Sequence, residues 1–279
     1  LIDETEFIAR GSYGLMGPSV APDTRAAYEA LAPVYDGLTA HHDHDRWLGL
    51  LLDLARAHGL AGRRALDVAC GTGKSFMPLV RRGFDVTACD LSPAMAQRAR
   101  RRSRGHGVRV RVADMRRLPV LCEGADLVTC LDDAVNYLLD ADELRAALTG
   151  MRTNLRAGGL LVFDVNTLST YRTVFCDGLT WTGGTDTYVS VGETPAVEAG
   201  GLFATTLQAW RTGTLLSESR HVQRHHGVRQ LREALRDAGL EALAVYGSAA
   251  DGSPRRPPDE ELHTKTLVVA RRPPVGAAT

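Results

Sequence analysis

Residues 65–90 read ALDVACGTGKSFMPLVRRGFDVTACD. Two short apolar runs, each carrying aspartate, flank a segment that opens on Gly71-Thr72-Gly73 and stops at Gly83. Apolar runs of about 4–8 residues bounded by turn residues predict buried strands, here 64–70 and 84–90. Glycine just past a periodic stretch ends a helix, here predicted over 74–83. Strand, glycine turn, helix and strand together form a parallel crossover unit.

The same alternation continues outward. Ser92 and Pro93 stand as N-cap and first residue of a helix over 92–105. Strands are predicted at 108–114 and 124–132, then a helix over 140–159 stopped by glycine, then a strand at 160–166. From 167 to 227 the alternation ceases. TYVSVG, GGLFATTLQAW and TLLSESRHVQRHH read instead as antiparallel strands with glycine-containing turns. A helix at 228–240 and strands at 241–247 and 263–272 resume the order, joined by a Pro-rich loop over 250–261. Upstream, 24–38 is a short helical stretch broken by Pro33. The 45–60 segment puts Trp47, Leu50, Leu51, Leu54 and Ala55 on one helical face. The first 24 residues read as an arm. The predicted fold is therefore α/β: a Rossmann-like seven-stranded sheet with helices on both faces. Residues 1–62 form an N-terminal arm and helical cap, 63–166 and 228–279 the core, and 167–227 an antiparallel β lid.

Composition narrows the function. The 279 residues carry 33 basic and 33 acidic side chains, which leaves no electrostatic grip for nucleic acid or an anionic membrane. No apolar run approaches the ~18 residues of a spanning helix. The opening LIDETEFIAR lacks both a starting Met and a signal-peptide core, as a trimmed chain would. Five scattered cysteines without a C-x-x-C imply reduced thiols and a cytoplasmic setting. Lys74 and Lys265 are the only lysines among the 33 basic residues, a bias that suggests a GC-rich genome.

GTGKS invites three chemistries. A phosphate loop, G-x-x-x-x-G-K-[ST], needs glycine at 68, where Val68 sits inside a strand. LVTCLDD resembles the apolar run and acid that hold Mg²⁺ in such enzymes, so a nucleotide hydrolase is one reading. The dinucleotide fingerprint G-x-G-x-x-G needs glycine at 76, where Phe76 stands. An acid closing the strand and then G-x-G-x-G fits best, through Asp67, Ala69, Gly71 and Gly73, with Ala in place of the first glycine. The glycines let the backbone approach a ligand without a Cβ. Asp90, ending the next strand, suits the two hydroxyls of a ribose without a 2′-phosphate.

At these residues the sequence resembles the class I S-adenosylmethionine-dependent methyltransferases, over most of 28–272. The resemblance implies S-adenosylmethionine as cofactor, S-adenosylhomocysteine as product, and no metal. It implies that Asp114 accepts a bond from the adenine amino group and that Met115 flanks the ring. It adds Thr72, Leu91, Met95 and Leu131 to the cofactor contacts and places CLDDAVNYL along the transfer cleft. The segment AYEALAPVYDGLTAHHDHDRWLGLL resembles the cap of small-molecule members, so Tyr28, Tyr35 and Trp47 would close over the cofactor. Aromatic faces suit a sulfonium. His44 stands where the family carries Tyr or Phe. HHDHD (41–45) offers His41 and His44 at i, i+3 as a metal pair, but nothing in the sequence completes such a site. Lys74 reads as a solvated residue at a helix start.

The acceptor is less explicit. Ser219, His221, Gln223 and His225 share one strand face. His221 is the favoured base, Asp132, Asp133 and Asn136 would orient the acceptor, and Tyr13 would fold over the pocket from the arm. With no basic stripe and with a lid over the cleft, the expected partner is a small molecule and not nucleic acid or membrane. A homodimer is compatible with all of this. N- or C-methylation of a specialised metabolite, such as an amine or indole ring, is favoured over O-methylation. A catalytically idle cofactor-binding protein is the reading that follows if no base operates.

Overall fold

The Asp23 carboxylate accepts from Ala26 N and caps α1 (Thr24–Leu31). The computed structural model describes residues 23–274. Pro33 separates α1 from the single turn α2 (Tyr35–Leu38). Asp43 then caps α3 (His44–Ala57) by accepting from Arg46 N. The buried face of α3 is broader than its periodicity suggests. Leu48 and Leu52 join Leu51 and Ala55 inside, while Trp47, Leu50 and Leu54 pack half-buried at the margin.

The alternating stretch follows as β1 (Arg64–Val68), α4 (Met77–Arg81), β2 (Asp85–Asp90), α5 (Pro93–Arg102), β3 (Arg109–Val112), β4 (Ala125–Cys130), α6 (Ala141–Asn154) and β5 (Leu155–Asn166). Ser92 caps α5 by accepting from Met95 N, with Pro93 at its first position. Two boundaries differ from the sequence reading. α4 starts at Met77 because residues 71–76 are spent on the turn, with Gly71 and Gly73 at positive φ. α6 does not run to Gly158 and Gly159. Its last residue, Asn154, turns its side chain onto Leu121 N, Cys122 N, Pro119 O and Gly150 O, and the chain goes straight into β5. The glycines instead shape the irregular start of β5. A Cβ on Gly159 would lie 2.8 Å from Ala125 O.

After β5 come α7 (Leu168–Thr170), a π-helical turn at Tyr171–Asp177, and the strands β6 (Leu179–Gly183), β7 (Asp186–Gly192), β8 (Leu202–Arg211) and β9 (Thr214–Arg224). The π-helical turn and β6 escaped the sequence reading. α8 (Val228–Asp237), β10 (Glu241–Ser248), β11 (Pro254–Arg255) and β12 (Lys265–Arg271) complete the described chain.

The main sheet runs β11-β10-β12-β5-β4-β1-β2-β3. β3, β2, β1, β4 and β5 pair in parallel; β12, β10 and β11 pair antiparallel. Seven of these strands are the expected ones. The eighth, β11, is a two-residue edge contributed by the loop read as 250–261. One apolar cluster fills each face of this sheet, and α3 belongs to the one shared with β1 and β2. β6–β9 form a separate antiparallel sheet. Its Tyr188, Ala209, Trp181 and Leu207 pack against Leu31, Val34 and Leu38 of α1 and α2. The chain reverses direction across the sheet at β1, which has β2 on one side and β4 on the other. That is where α/β sheets open a ligand crevice, beyond the strands' carboxyl ends.

Candidate active site

The turn leaving β1 is held by its acids. Gly71 N donates to Asp90 Oδ2 at 2.7 Å, and Ser92 N donates to Asp90 Oδ1 at 2.9 Å. One lone pair on each oxygen remains. Burial raises the Asp90 carboxyl to about 6, offset in part by these two N–H donors. Asp67 lies deeper, 1% exposed, accepting from Ser75 Oγ and Thr129 Oγ1, each at 2.6 Å. Burial lifts it to about 7. Ala69 holds φ +57°, a left-handed conformation that costs a residue with a Cβ about 1–2 kcal/mol.

A cavity of about 640 Å³ opens over this turn, walled by Tyr28, Tyr35, Ala69, Gly71, Asp90 and Leu131 among others. A neighbouring space of about 380 Å³ continues past Leu91 to Asp114 and Met115. The cradle fits the adenosyl group that the glycine turn calls for. Gly71 leaves the floor bare, since a Cβ there would reach to 3.6 Å from the Tyr35 ring. Asp90 presents a buried carboxylate, and Leu91, Asp114 and Met115 line the space beyond it. Asp114 is itself engaged. Against the cost of burial, bonds from Arg116 at 2.8–3.0 Å hold its carboxyl below the usual range.

The turn leaving β4 is strained in the same sense. Asp132 and Asp133 take φ +56° and +54°. The fully buried Asp164 stabilises that geometry by accepting from Asp132 N at 2.9 Å and Asp133 N at 2.7 Å. Lys265 pairs with Asp133 and lies 3.4 Å from Asp164. Against burial, those carboxylates push its ammonium above the ordinary range. Asp132 is thereby aimed at His44 Nε2, 3.4 Å away, and His42 Nε2, 3.8 Å away.

Beyond this turn lies a larger cavity of about 940 Å³, between the main sheet, α1–α2 and the second sheet. Leu31, Leu38, Val174, Phe175 and Leu207 give it apolar walls, and Asp132, Asp133, His221, Gln223 and Lys265 give it polar ones. The shared face of β9 is not in water. Ser219, His221, Gln223 and His225 are all nearly inaccessible. His221 is bonded at both nitrogens, Nδ1 to Tyr137 Oη at 2.9 Å and Nε2 to Ser219 Oγ at 2.8 Å. Burial pushes the imidazole down to about 4, so it is neutral at pH 7. Asp133 also accepts from Gln223 Nε2 at 2.7 Å, and Asn136 is consumed by Arg224 O and Asn166 N. His225 turns away to Glu260 at 2.8 Å.

Of the sequence-derived cofactor residues, Tyr28, Tyr35, Ala69, Gly71, Thr72, Asp90, Leu91, Asp114, Met115 and Leu131 line the two smaller spaces. Trp47, Asp67, Gly73 and Met95 do not. Trp47 packs against the sheet's core, Asp67 and Met95 lie beneath the turn, and Gly73 faces Phe76. Tyr13 lies outside the described residues. Lys74 is not a solvated side chain: it donates to Thr39 O and Oγ1, each at 2.9 Å, and ties the glycine turn to α2. Asp36 of α2 reinforces that tie through Thr72 Oγ1 at 2.6 Å and Arg102. Tyr137 walls every one of the three spaces, yet in the sequence it stood only as one letter of CLDDAVNYL. No spacing signal marks it, because its neighbours come from α1 and β9.

Residues 65–159 match the profile of a family described as a methyltransferase domain. A putative methyltransferase of Geobacillus sp. (strain WCH70) is 34% identical over 149 residues, 52% of this chain and 59% of that protein. The glycine N-methyltransferase of Homo sapiens is 39% identical over 130 residues, 41% of this chain and 43% of that one. The chain thus spans about half the length of these curated relatives. Among solved structures, a sugar N-methyltransferase from Streptoalloteichus sp. superimposes with a TM-score of 0.64 at 26% identity, covering 93% of this chain and 99% of that one.

Proposed function

We propose that this chain, a member of the class I S-adenosylmethionine-dependent methyltransferase family, transfers a methyl group to a nitrogen on a small molecule held under the antiparallel sheet. One observation carries the reading. The space over the glycine turn and the larger cavity share the walls Tyr28, Tyr35, His44, Asp132 and Tyr137, so a donor in one would face an acceptor in the other.

Gly71, Asp90, Leu91 and Met115 would hold the adenosyl group, and S-adenosylmethionine when bound supplies an electrophilic methyl on a sulfonium. The chain's own part is alignment and dryness, worth several kcal/mol where reactants are held in line. The rings of Tyr28, Tyr35 and Tyr137 meet at the shared wall and favour a cation there. His221 positions Tyr137 and offers little basicity. A hydroxyl or aromatic carbon must lose a proton during transfer, whereas an amine that enters neutral needs no base at that moment. Nitrogen is accordingly favoured over carbon and oxygen, in keeping with the sugar and glycine N-methyltransferases that the chain resembles.

The test is calorimetry with S-adenosylhomocysteine, followed by labelled S-adenosylmethionine with paired acceptors: amino sugars, amino acids and indoles beside their hydroxy counterparts. Micromolar binding and label in the amines only is the expected result. Absence of cofactor heat would sink the whole reading. Label in the hydroxy compounds instead would overturn the choice of nitrogen.

A further inference from the structure

HHDHD supplies more than a cap segment. Its i, i+3 pair is not what the fold brings together. Asp43 caps α3, so the helix begins only at His44, and His41 falls outside it with its ring edge-on to Trp181. His42 and His44 come together instead, ring centroids 4.4 Å apart, and both face Asp132 from across the chain. Their ligating atoms all lie within 4.8 Å of one another.

The hydrogen bonding at this cluster is incomplete in an informative way. His44 Nδ1 is 3.0 Å from the His42 carbonyl and must donate its proton there. In the neutral ring Nε2 then offers a lone pair toward the Asp132 carboxylate, two acceptors face to face. His42 Nε2 is buried and bonded to nothing. An imidazolium at His44 would relieve the first contact and leave His42 Nε2 still orphaned. A cation between the three groups satisfies all of them at once. The charge balance points the same way, because Asp132, Asp133 and Asp164 converge on a single ammonium, Lys265.

We propose that His42 Nε2, His44 Nε2 and one oxygen of Asp132 form a divalent transition-metal site at the seam between the glycine-turn space and the larger cavity. Two imidazoles and a carboxylate are a donor set for Zn²⁺, Co²⁺, Fe²⁺ or Mn²⁺ rather than for Ca²⁺ or Mg²⁺. Bonds of about 2.0–2.1 Å would put tetrahedral donor atoms roughly 3.3 Å apart. Asp132 Oδ2 lies 3.4 Å from His44 Nε2 and Oδ1 lies 3.8 Å from His42 Nε2, and one donor atom from each residue falls within 4.8 Å of the others, so closing on a metal needs a contraction of at most about 1.5 Å. The supporting shell is in place. The His42 carbonyl fixes the His44 tautomer, and Asp164 holds the strained backbone that aims Asp132. Three protein ligands leave positions open, and all three residues line the larger cavity. That opening would take an oxygen or nitrogen lone pair of the acceptor, or water. Its role toward an acceptor rests on the reading of that cavity as the acceptor's; metal binding itself does not.

The test uses the whole chain, stripped with a chelator and titrated with Co²⁺, with S-adenosylhomocysteine binding measured in parallel. One equivalent of Co²⁺ with a visible ligand-field band is expected. His42→Gln and Asp132→Asn should each weaken it at least ~100-fold, beyond the 10–100-fold typical of losing a supporting partner. His41→Gln should leave the Co²⁺ affinity unchanged. Unchanged thermal melting of the apo variants separates ligand loss from misfolding. Failure of the wild-type chain to take up one equivalent, or uptake that both variants retain, overturns the site. If S-adenosylhomocysteine binds in that event, the methyltransferase reading stands without the metal.

Discussion

Asp90 does two jobs with one carboxylate: it clamps the Gly71 turn and faces the space proposed for the cofactor. Asp90→Ala is expected to weaken S-adenosylhomocysteine binding by about 2–4 kcal/mol, since hydrogen bonds to a charged group are each worth about 1.5–3 kcal/mol. Burial raises the carboxyl from 3.8 to about 6, and the ionised form is the one that accepts hydroxyl donors. Affinity should therefore be flat above about pH 7 and fall roughly tenfold per unit as pH drops below 6. Calorimetry across that range checks it; Asp90→Asn should lose the inflection. Asp67, lifted to about 7, is the other titrating acid nearby, and Asp67→Asn should keep the inflection because Asp67 does not line the space. The two glycines separate just as cleanly. A Cβ on Gly73 would stand 2.7 Å from the Phe76 ring, whereas one on Gly71 meets only Tyr35 at 3.6 Å. Chemical denaturation should show Gly73→Ala losing about 2–4 kcal/mol and Gly71→Ala about 1–2 kcal/mol. Gly71→Ala should take the larger toll on cofactor affinity.

Between elements, α2 is the keystone. The cap helices are short, and an isolated turn is unstable by itself. Tertiary bonds hold this one and the neighbouring α1. Trp181 Nε1 donates to Leu38 O at 3.1 Å, Tyr188 Oη donates to Val34 O at 3.1 Å, and Ser217 Oγ donates to Ala30 O at 2.8 Å. Gly37 has no room for a side chain against the hydroxyl end of Tyr188. Gly37→Ala should cost about 1–3 kcal/mol by overpacking, read as a lower melting temperature with a loss of cofactor affinity. Lys74→Met removes the tie from the other side. Hydrogen exchange in residues 35–42 should quicken, by an opening free energy lowered about 1–2 kcal/mol. On β9, His221→Asn should reduce kcat/KM for the acceptor about 10–100-fold, or roughly 1.4–2.7 kcal/mol. Its S-adenosylhomocysteine affinity should stay as in the wild type, because His221 lines the larger cavity alone.

Across the whole molecule the candidate site is a junction of three bodies: the carboxyl end of the main sheet, the α1–α2 cap and the antiparallel sheet. No helix among the described residues is long and apolar enough to cross a membrane, and all five cysteines are free. S-adenosylhomocysteine should slow hydrogen exchange at 69–76, 90–92 and 131–137 together with 28–44, while helix α8, which lines none of the three spaces, keeps its rate. The parallel sheet and its glycine turn were legible in the sequence because both are local. Periodicity marks a strand or helix within a few residues, and a turn that needs positive φ near a ligand announces itself by glycine. Asp90 followed from the same rule, as the end of the next strand, whereas the role expected of Asp114 came with the family resemblance. What the local pattern could not hold is anything made by distant segments meeting. Tyr137, His221 and Tyr28 join across α1, the β4 turn and β9. Lys74 was misjudged as solvated because Thr39 lies on the cap, and the pairing of His42 with His44 and Asp132 depends on where α3 starts and on a strained turn 90 residues on. The sequence by itself determined the parallel sheet and the glycine turn that leaves β1, since those follow from the chain's own backbone preferences. Only the tertiary structure decided the walls of the larger cavity and the protonation of the groups in it, because burial and contact between remote residues set both.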